Sequence, residues 1–442
     1  MRKIGRRSFI GGSVGAALAF PALAAELTVA PSDKIVLGLI GCGGRGTQLL
    51  QWLTQIPEVE IACLCDVNER QFDRAVELVE SRQEKSPKIE KDFRCLLEDK
   101  SIDAVVNATP EHWHAVITVL ACQAGKDVYV EKPLAITVWE SWKCVEAARK
   151  YQRVVQVGTQ TRSSAYVQQA KDYIAAGGLG EVHLVRVLNM TPYPAEPKGP
   201  EQPVPAGLDW DIWCGPSPLT SYSPGRWFFN RWDYGPGGIA GEAVHQLDLA
   251  RLVTGLGYPK SAVQTGGIYF YKDDGREIPD TQVASFEYDG LTLELDGNLW
   301  TPYMKKIPNS IRDGDELPDW PFCATRVEIY GSDGFMYLGR QGGGWQSFDK
   351  DGLAVRSQSG RQGDMNHLQN FLSCIRTRSR PAADVEEGHI SSLYCNLANI
   401  SFRVGSRRLE FDSTTQGFPG DKEAAGYLGR KFREPWTIPD QV

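Results

Sequence analysis

Six residues at the end of one short apolar run carry the first chemistry legible in this chain. Ile35 to Ile40 reads as a buried strand, Gly41-Cys42-Gly43-Gly44-Arg45-Gly46 follows as a G-x-G-x-x-G loop, and Thr47 to Ile56 has the pattern of an amphipathic helix. In that order the first glycine permits a tight turn, the second lets backbone approach a pyrophosphate, and the third lets helix and strand pack closely. The free N–H groups and positive end of the helix, entered through Gly44 and Arg45, then face the phosphates. A second apolar run, Ile61 to Cys65, ends at Asp66, twenty positions after Gly46, where a carboxylate bonds the ribose 2′-hydroxyl of a dinucleotide. Such a carboxylate repels a 2′-phosphate, so NAD is expected ahead of NADP, with Arg45 and Arg70 able to soften that preference.

The later runs also end in polar groups. Ile102 to Asn107 leads into Thr109, Pro110 and Glu111-His112-Trp113-His114, and Asp127 to Val130 leads into Glu131-Lys132-Pro133. Residues two apart on a helix do not share a face, so His112 and His114 are given different tasks. Singly these are packing histidines and a solvated loop lysine. Their common position argues for function, and that position follows from the elements. Strand-like runs at 35–40, 61–65, 102–107, 127–130 and 154–157 alternate with helical patterns, which calls for right-handed crossovers and a doubly wound parallel sheet. Residues 34–158 are therefore expected to form a Rossmann domain. Ligands in such sheets sit beyond the carboxyl ends of the strands, where all these residues, with Gln160, fall.

The second half changes character. Glu181 to Asn189, Ala262 to Tyr271, Thr281 to Tyr288, Leu291 to Leu299 and Arg326 to Leu338 read as strands without intervening helices, hence a large, mostly antiparallel open sheet. Asp364 to Arg378 and Glu387 to Val404 look helical, with His367 and His389 as structural residues. An α/β protein with a C-terminal α+β domain over 159–415 and a tail at 416–442 is expected. Pro192, Pro194, Pro197, Pro200, Pro203 and Pro205 exclude helix and central strand, leaving a stiff surface connection or an arm bordering the active site or a neighbouring subunit. Aromatic residues cluster from Trp210 to Tyr234, and Arg226 and Trp227 within them are candidates for a sugar face, although half of such rings belong to a core. Gly237 to Asp248 opens a helix on which Glu242 and His245 share a side, with Asp248 one turn away. A carboxylate one turn from a histidine raises its basicity and orients its ring.

The chain resembles the Gfo/Idh/MocA oxidoreductases, the glucose–fructose oxidoreductase and inositol dehydrogenase group. Gly41-x-Gly43-x-x-Gly46, Pro110 with His114 four residues on, and Glu131-Lys132-Pro133 carry the likeness, which is strongest before Thr159. It implies that Glu131 holds the nicotinamide end, that Lys132 reaches cofactor and substrate hydroxyl, that Pro133 fixes the turn, and that His245 accepts the hydroxyl proton during hydride transfer. It further implies alcohol–ketone chemistry on sugars, polyols and their acids, in a homo-oligomer (dimer or tetramer). The family usually carries an aspartate four residues before this histidine, where this chain has Gly241, with Glu242 at the neighbouring position to substitute for it. Exported relatives include NAD-dependent glycosidases that oxidise a glycoside transiently at C3 and eliminate across the glycosidic bond. Those usually lose the Glu-Lys-Pro motif, so a sugar oxidoreductase ranks first, the glycosidase second, and a non-catalytic sugar-binding protein third.

The bulk composition agrees with two soluble domains: 442 residues, 42% hydrophobic and 23% charged. A net charge of −7 argues against nucleic acid or an anionic membrane as main partner. Arg6-Arg7-Ser8-Phe9 before a Gly/Ala-rich apolar run and Ala22-Leu23-Ala24 resemble a twin-arginine signal over residues 1–25, implying export to the periplasm. That run is shorter than the roughly 20 residues of a membrane span, so no stable anchor is expected. The scattered cysteines lack ligand spacing, so no metal is expected either.

Overall fold

The computed structural model describes residues 33–196, 200–224 and 230–442. The expected signal segment and the candidates Arg226 and Trp227 lie outside the described residues. The first sheet contains β1 (Ile35–Ile40), β2 (Val59–Cys65), β3 (Lys88–Glu90), β4 (Ala104–Asn107), β5 (Asp127–Val130) and β6 (Val155–Val157) in the order β3-β2-β1-β4-β5-β6. Every pairing in it is parallel. Strand order reverses between β1 and β4, and a crevice opens at that switch point. Both β4 and β5 are buried along their whole length, which is why they read as unbroken apolar runs. Edge strand β3 escaped the sequence reading because its exposed Lys88 and Ile89 have no buried face to pattern. The short helix Phe93–Glu98 beside it escaped too, though Asp92 caps it by accepting from Arg94 N.

A parallel sheet needs cover on both faces, and residues 34–158 do not supply all of it. Helix Asp364–Thr377 returns to the nucleotide half, where Leu368, Phe371 and Leu372 pack with Leu37, Leu39 and Tyr129. Trp436, Ile438 and Val442 join Phe93 and Trp113 in the core on the other face. Chain from beyond residue 158, including part of 416–442, thus completes the first core.

The second sheet runs β7 (Val182–Asn189), β8 (Ser261–Gly267), β9 (Thr281–Tyr288), β10 (Leu291–Asn298), β11 (Arg326–Gly331), β12 (Gly334–Gly339), β13 (Trp345–Asp349), β14 (Ala354–Gln358) and β15 (Leu409–Glu410). Its order is β14-β13-β12-β11-β7-β10-β9-β8-β15, antiparallel except for the parallel β7–β10 pair. The single strand expected over 326–338 is a hairpin, β11 and β12, turning at Ser332-Asp333. Alternate residues, among them Val185, Val187, Leu293, Leu295, Val327 and Ile329, face helices Val244–Thr254 and Val385–Arg403 and form the second core. No helix of the described residues is long and apolar enough to cross a membrane.

His367 and His389 are buried in structural positions. His389 Nδ1 lies 2.8 Å from Ser141 Oγ and Nε2 lies 3.0 Å from Gln416 Oε1. Burial pushes this imidazole down to about 4, against a usual 6.5. Its folded pKa is depressed, so its contribution to stability is complete above 6.5 and is lost as pH falls towards 4. Urea unfolding between pH 7 and 4 is expected to lose roughly 3 kcal/mol more in the native protein than in His389→Gln, which removes the titrating ring.

Candidate active site

The glycine loop separates into two functions. At Gly41, with φ +90°, a Cβ would stand 2.7 Å from Ala108 O, and at Gly46 it would stand 1.9 Å from Gly41 O, so β1, its helix and the β4 loop meet only without side chains there. At Gly43 and Gly44 nothing lies within 4 Å, which leaves a bare backbone cradle before helix Gly44–Leu53. Asp66, at the end of β2, holds this loop: its carboxylate accepts from Cys42 N at 2.7 Å and from Asn68 N at 2.8 Å. Burial pushes the Asp66 carboxyl up, and those backbone donors act against the shift.

From this loop opens a cavity of about 440 Å³ with Gly41, Gly43 and Asp66 on one wall and Leu208, Trp210, Trp213 and Tyr222 on the other. The facing wall belongs to the chain that follows the proline-rich stretch. Glu69 N donates to Gly207 O and Asp209 N donates to Val67 O, both at 2.9 Å, so this segment crosses the groove as a strap. Of the two readings left open for the prolines, the arm beside the site describes it, within the same chain.

Ala108, Thr109 and Pro110 line both this cavity and a second of about 320 Å³, which also receives Glu111, His114, Glu131, Lys132, Gln160, His245 and Arg340. Lys132 and His245, from different halves of the chain, thus meet at one cavity. The Lys132 ammonium donates to the carbonyl of Gly241. Glu131 accepts from Arg45 Nε at 2.6 Å and from Gln160 Nε2 at 3.2 Å. Burial opposes its charge, but Arg45 and Lys132 outweigh burial and hold the carboxyl below the usual range. Arg45 is therefore committed to Glu131, and further to Asp364 at 3.6 Å, so it does not tune the ribose end.

His112 and His114 do have different tasks. His114 sits between Pro133 O at 2.7 Å and Thr109 O at 2.9 Å, tying the loops after β4 and β5, while Thr109 Oγ1 donates to Asn107 Oδ1 at 2.7 Å. His112, expected at the cofactor, turns away: its Nε2 lies 2.9 Å from Trp213 O, and its ring packs on Trp213 and Tyr234. Apolar burial outcompetes the cleft for that side chain, pushing its pKa down to about 3.

Asp248 is also corrected. Arg162 Nε binds it at 2.7 Å and Ser391 Oγ donates to it at 2.6 Å, so it anchors the helix and does not orient the His245 ring. Glu242 stands in a π-helical turn, Ile239–Ala243, that leads into the His245 helix, and it binds Arg340, which lines the cavity. It accepts from Tyr193 at 2.8 Å, Lys306 at 3.0 Å and Arg340 at 2.6 Å. Burial works against its charge, yet Arg340, Lys132 and Lys306 together hold the carboxyl well below the usual range. His245 is held well below its usual pKa, first by burial and then by Arg340 and Lys132. Arg340, Tyr193 and Lys306 were missed in the sequence, where each stands alone at the end of a strand or in a loop without a motif. Glu111 was passed over although it adjoins the two histidines that were singled out.

Models of one oxidoreductase family match nearly the whole chain: its NAD-binding Rossmann fold over 35–159, its C-terminal domain over 167–337 and its C-terminal alpha/beta domain over 336–438. The chain is built of Gfo/Idh/MocA oxidoreductase domains. A glycosyl hydrolase family 109 protein from Shewanella sp. strain MR-4 is 34% identical over 130 residues, 28% of either chain, so the likeness spans little more than a quarter of that relative. Among solved structures, the WlbA dehydrogenase from Bordetella pertussis, in complex with NADH and UDP-GlcNAcA, has a TM-score of 0.62 at 20% identity, covering 86% of this chain and 99% of that one. Aldose-aldose oxidoreductase from Caulobacter crescentus, complexed with glycerol, has a TM-score of 0.63 at 17% identity, covering 86% and 100%. At these identities the structures speak for the Gfo/Idh/MocA fold.

The residues present fit NAD, since the open backbone at Gly43 and the residue Asp66 line one groove. Gly43→Val is expected to raise the NADH Kd at least about 100-fold, roughly 3 kcal/mol, by fluorescence titration, with unfolding free energy nearly unchanged. Gly46→Ala should instead destabilise the fold, because its Cβ meets backbone.

Proposed function

We propose that this chain is an NAD-dependent oxidoreductase that moves a hydride between a carbinol carbon of a sugar, sugar acid or polyol and the nicotinamide ring, with the dinucleotide retained between turnovers. The observation that carries this reading is the convergence of Lys132 and His245 on the cavity adjoining the glycine-loop groove. Bound there, NAD supplies the hydride acceptor at C4. Glu131, kept ionised by Arg45 and Lys132, is the counter-charge for a positive ring. The Lys132 ammonium, anchored on Gly241, has donors left for a substrate oxygen. His245 stays neutral at pH 7 and accepts a hydrogen bond from the same hydroxyl, holding it towards Lys132. Alignment of these groups is the contribution of the protein.

Retention is supported by the strap from Gly207 to Tyr222 over the groove. Export to the periplasm by the twin-arginine route belongs to the same reading, supported by Arg6-Arg7-Ser8-Phe9: that route carries folded proteins, so a cofactor loaded beforehand travels inside. Association of copies through the outer face of the second sheet is supported by its aromatic surface, where Phe335 stacks on Phe348 at 4.7 Å. A glycosidase working by oxidation, elimination and re-reduction is the second reading, supported by the name of the Shewanella relative.

Denaturing the purified protein is expected to release about one NAD(H) per chain, identified by mass. Lys132→Met and His245→Gln are each expected to slow reduction of the bound nicotinamide by a panel of aldoses, uronic acids and inositols by about 10²–10⁴-fold, with cofactor content unchanged. Aglycone release from aryl glycosides without added NAD would favour the second reading. An empty groove would overturn retention.

A further inference from the structure

The same cavity holds another carboxyl, Glu111, in the short turn Glu111–Trp113 after Pro110. Its Oε2 is buried and has no hydrogen-bond partner among the described residues. Its Oε1 lies 3.6 Å from the point where a Cβ on Gly241 would stand, with no other heavy atom within 4 Å of that point. Gly241 is also the residue whose carbonyl holds the Lys132 ammonium. The missing side chain at 241 thus leaves a space at the lysine's anchor, and a carboxyl from the nucleotide half borders it.

The charged and titratable groups facing Glu111 are Lys132, Glu242, Tyr193 and Cys395. Glu242 is ionised by its own cations, and its charge discourages a second anion beside it. Burial pushes Glu111 up to about 7, Lys132 opposing and Glu242 reinforcing the shift. Two carboxyls whose surroundings drive them apart in this way divide the work between a fixed charge and a proton carrier.

We propose that Glu111 is the proton reservoir of Lys132, a positioning residue that acts through the ammonium and does not touch the substrate. The proposal rests on the reading given under Proposed function. In the direction of reduction, an N–H bond of Lys132 breaks as the substrate O–H bond forms, and the Glu111 O–H bond breaks to restore the ammonium. The hydride arrives at carbon with its electron pair from reduced nicotinamide. Oxidation reverses each step, leaving Glu111 protonated.

The test is NMR of the full chain with carboxyl-labelled glutamate, titrated with and without added NADH. One signal is expected to titrate near pH 7, to vanish in Glu111→Gln, and to move up by about one unit in Lys132→Met, which removes the opposing ammonium. Should Glu111→Gln fail to fold, the signal that moves between the native protein and Lys132→Met identifies the carboxyl. A Glu111 signal in the ordinary carboxylate range, or one indifferent to Lys132→Met, overturns the proposal. A native protein that neither carries NAD(H) nor binds added NADH would overturn the oxidoreductase reading instead, while the Glu111–Lys132 coupling would still be read in the titration without added NADH.

Discussion

The Lys132 ammonium reaches from the nucleotide half to a backbone carbonyl of the second half, Gly241, and much of the molecule serves to hold those two atoms together. An ammonium held by a single carbonyl needs counter-charge nearby. The balance comes from two chains of charge that meet at the lysine. One runs from Asp364 through Arg45 to Glu131, and the other from Lys306 and Arg340 to Glu242. Removing a buried partner such as Arg340 leaves Glu242 uncompensated, which costs about 3–5 kcal/mol for a buried pair. The buried members of the site therefore form a linked electrostatic unit.

Such a unit requires the two sheets to keep a fixed relation, and the chain path provides for this. Helix Asp364–Thr377 belongs by sequence to the second half but packs on the first sheet, bringing Asp364 to Arg45. Arg162, just beyond β6, binds Asp248 on the His245 helix and Glu387 on helix Val385–Arg403. Arg251 binds Glu387 and Ser391, closing the same network one turn on. Asp248 thus affects His245 by fixing the helix that carries it. An aspartate one turn from a histidine suggests a direct pair, but a buried arginine across the interface is the stronger claimant for that carboxylate.

Local chemistry was legible in the sequence, and tertiary competition was not. The glycine loop, Asp66 and Glu131-Lys132 declare themselves because backbone conformation and strand ends restrict which residues can stand there. The antiparallel second sheet was legible from strands without helices between them. His112 was misassigned because its neighbour His114 faces the loops, while an aromatic pocket contributed by residues a hundred positions away captures the other ring. Arg340 was invisible: only the approach of β12 to the π-helical turn makes its guanidinium the partner of Glu242. Edge strand β3 was lost because polar edges carry no hydrophobic period.

The strap changes what the nicotinamide end has to accomplish. On the proposed retention, a dinucleotide beside Leu208 and Trp210 is reoxidised where it was reduced, so both half-reactions use one cavity and one set of groups. Lys132 then gives a proton in one half and regains it in the other, with no exchange of cofactor to reset the charge between them. A group fixed as acid or as base would favour one direction. An ionised Glu242 and a Glu111 poised near neutrality differ in this respect, because the first holds its charge while the second can carry the difference. The division of charge around Lys132 is thus the electrostatic counterpart of the strap: one retains the electron carrier through a complete cycle, and the other retains the proton.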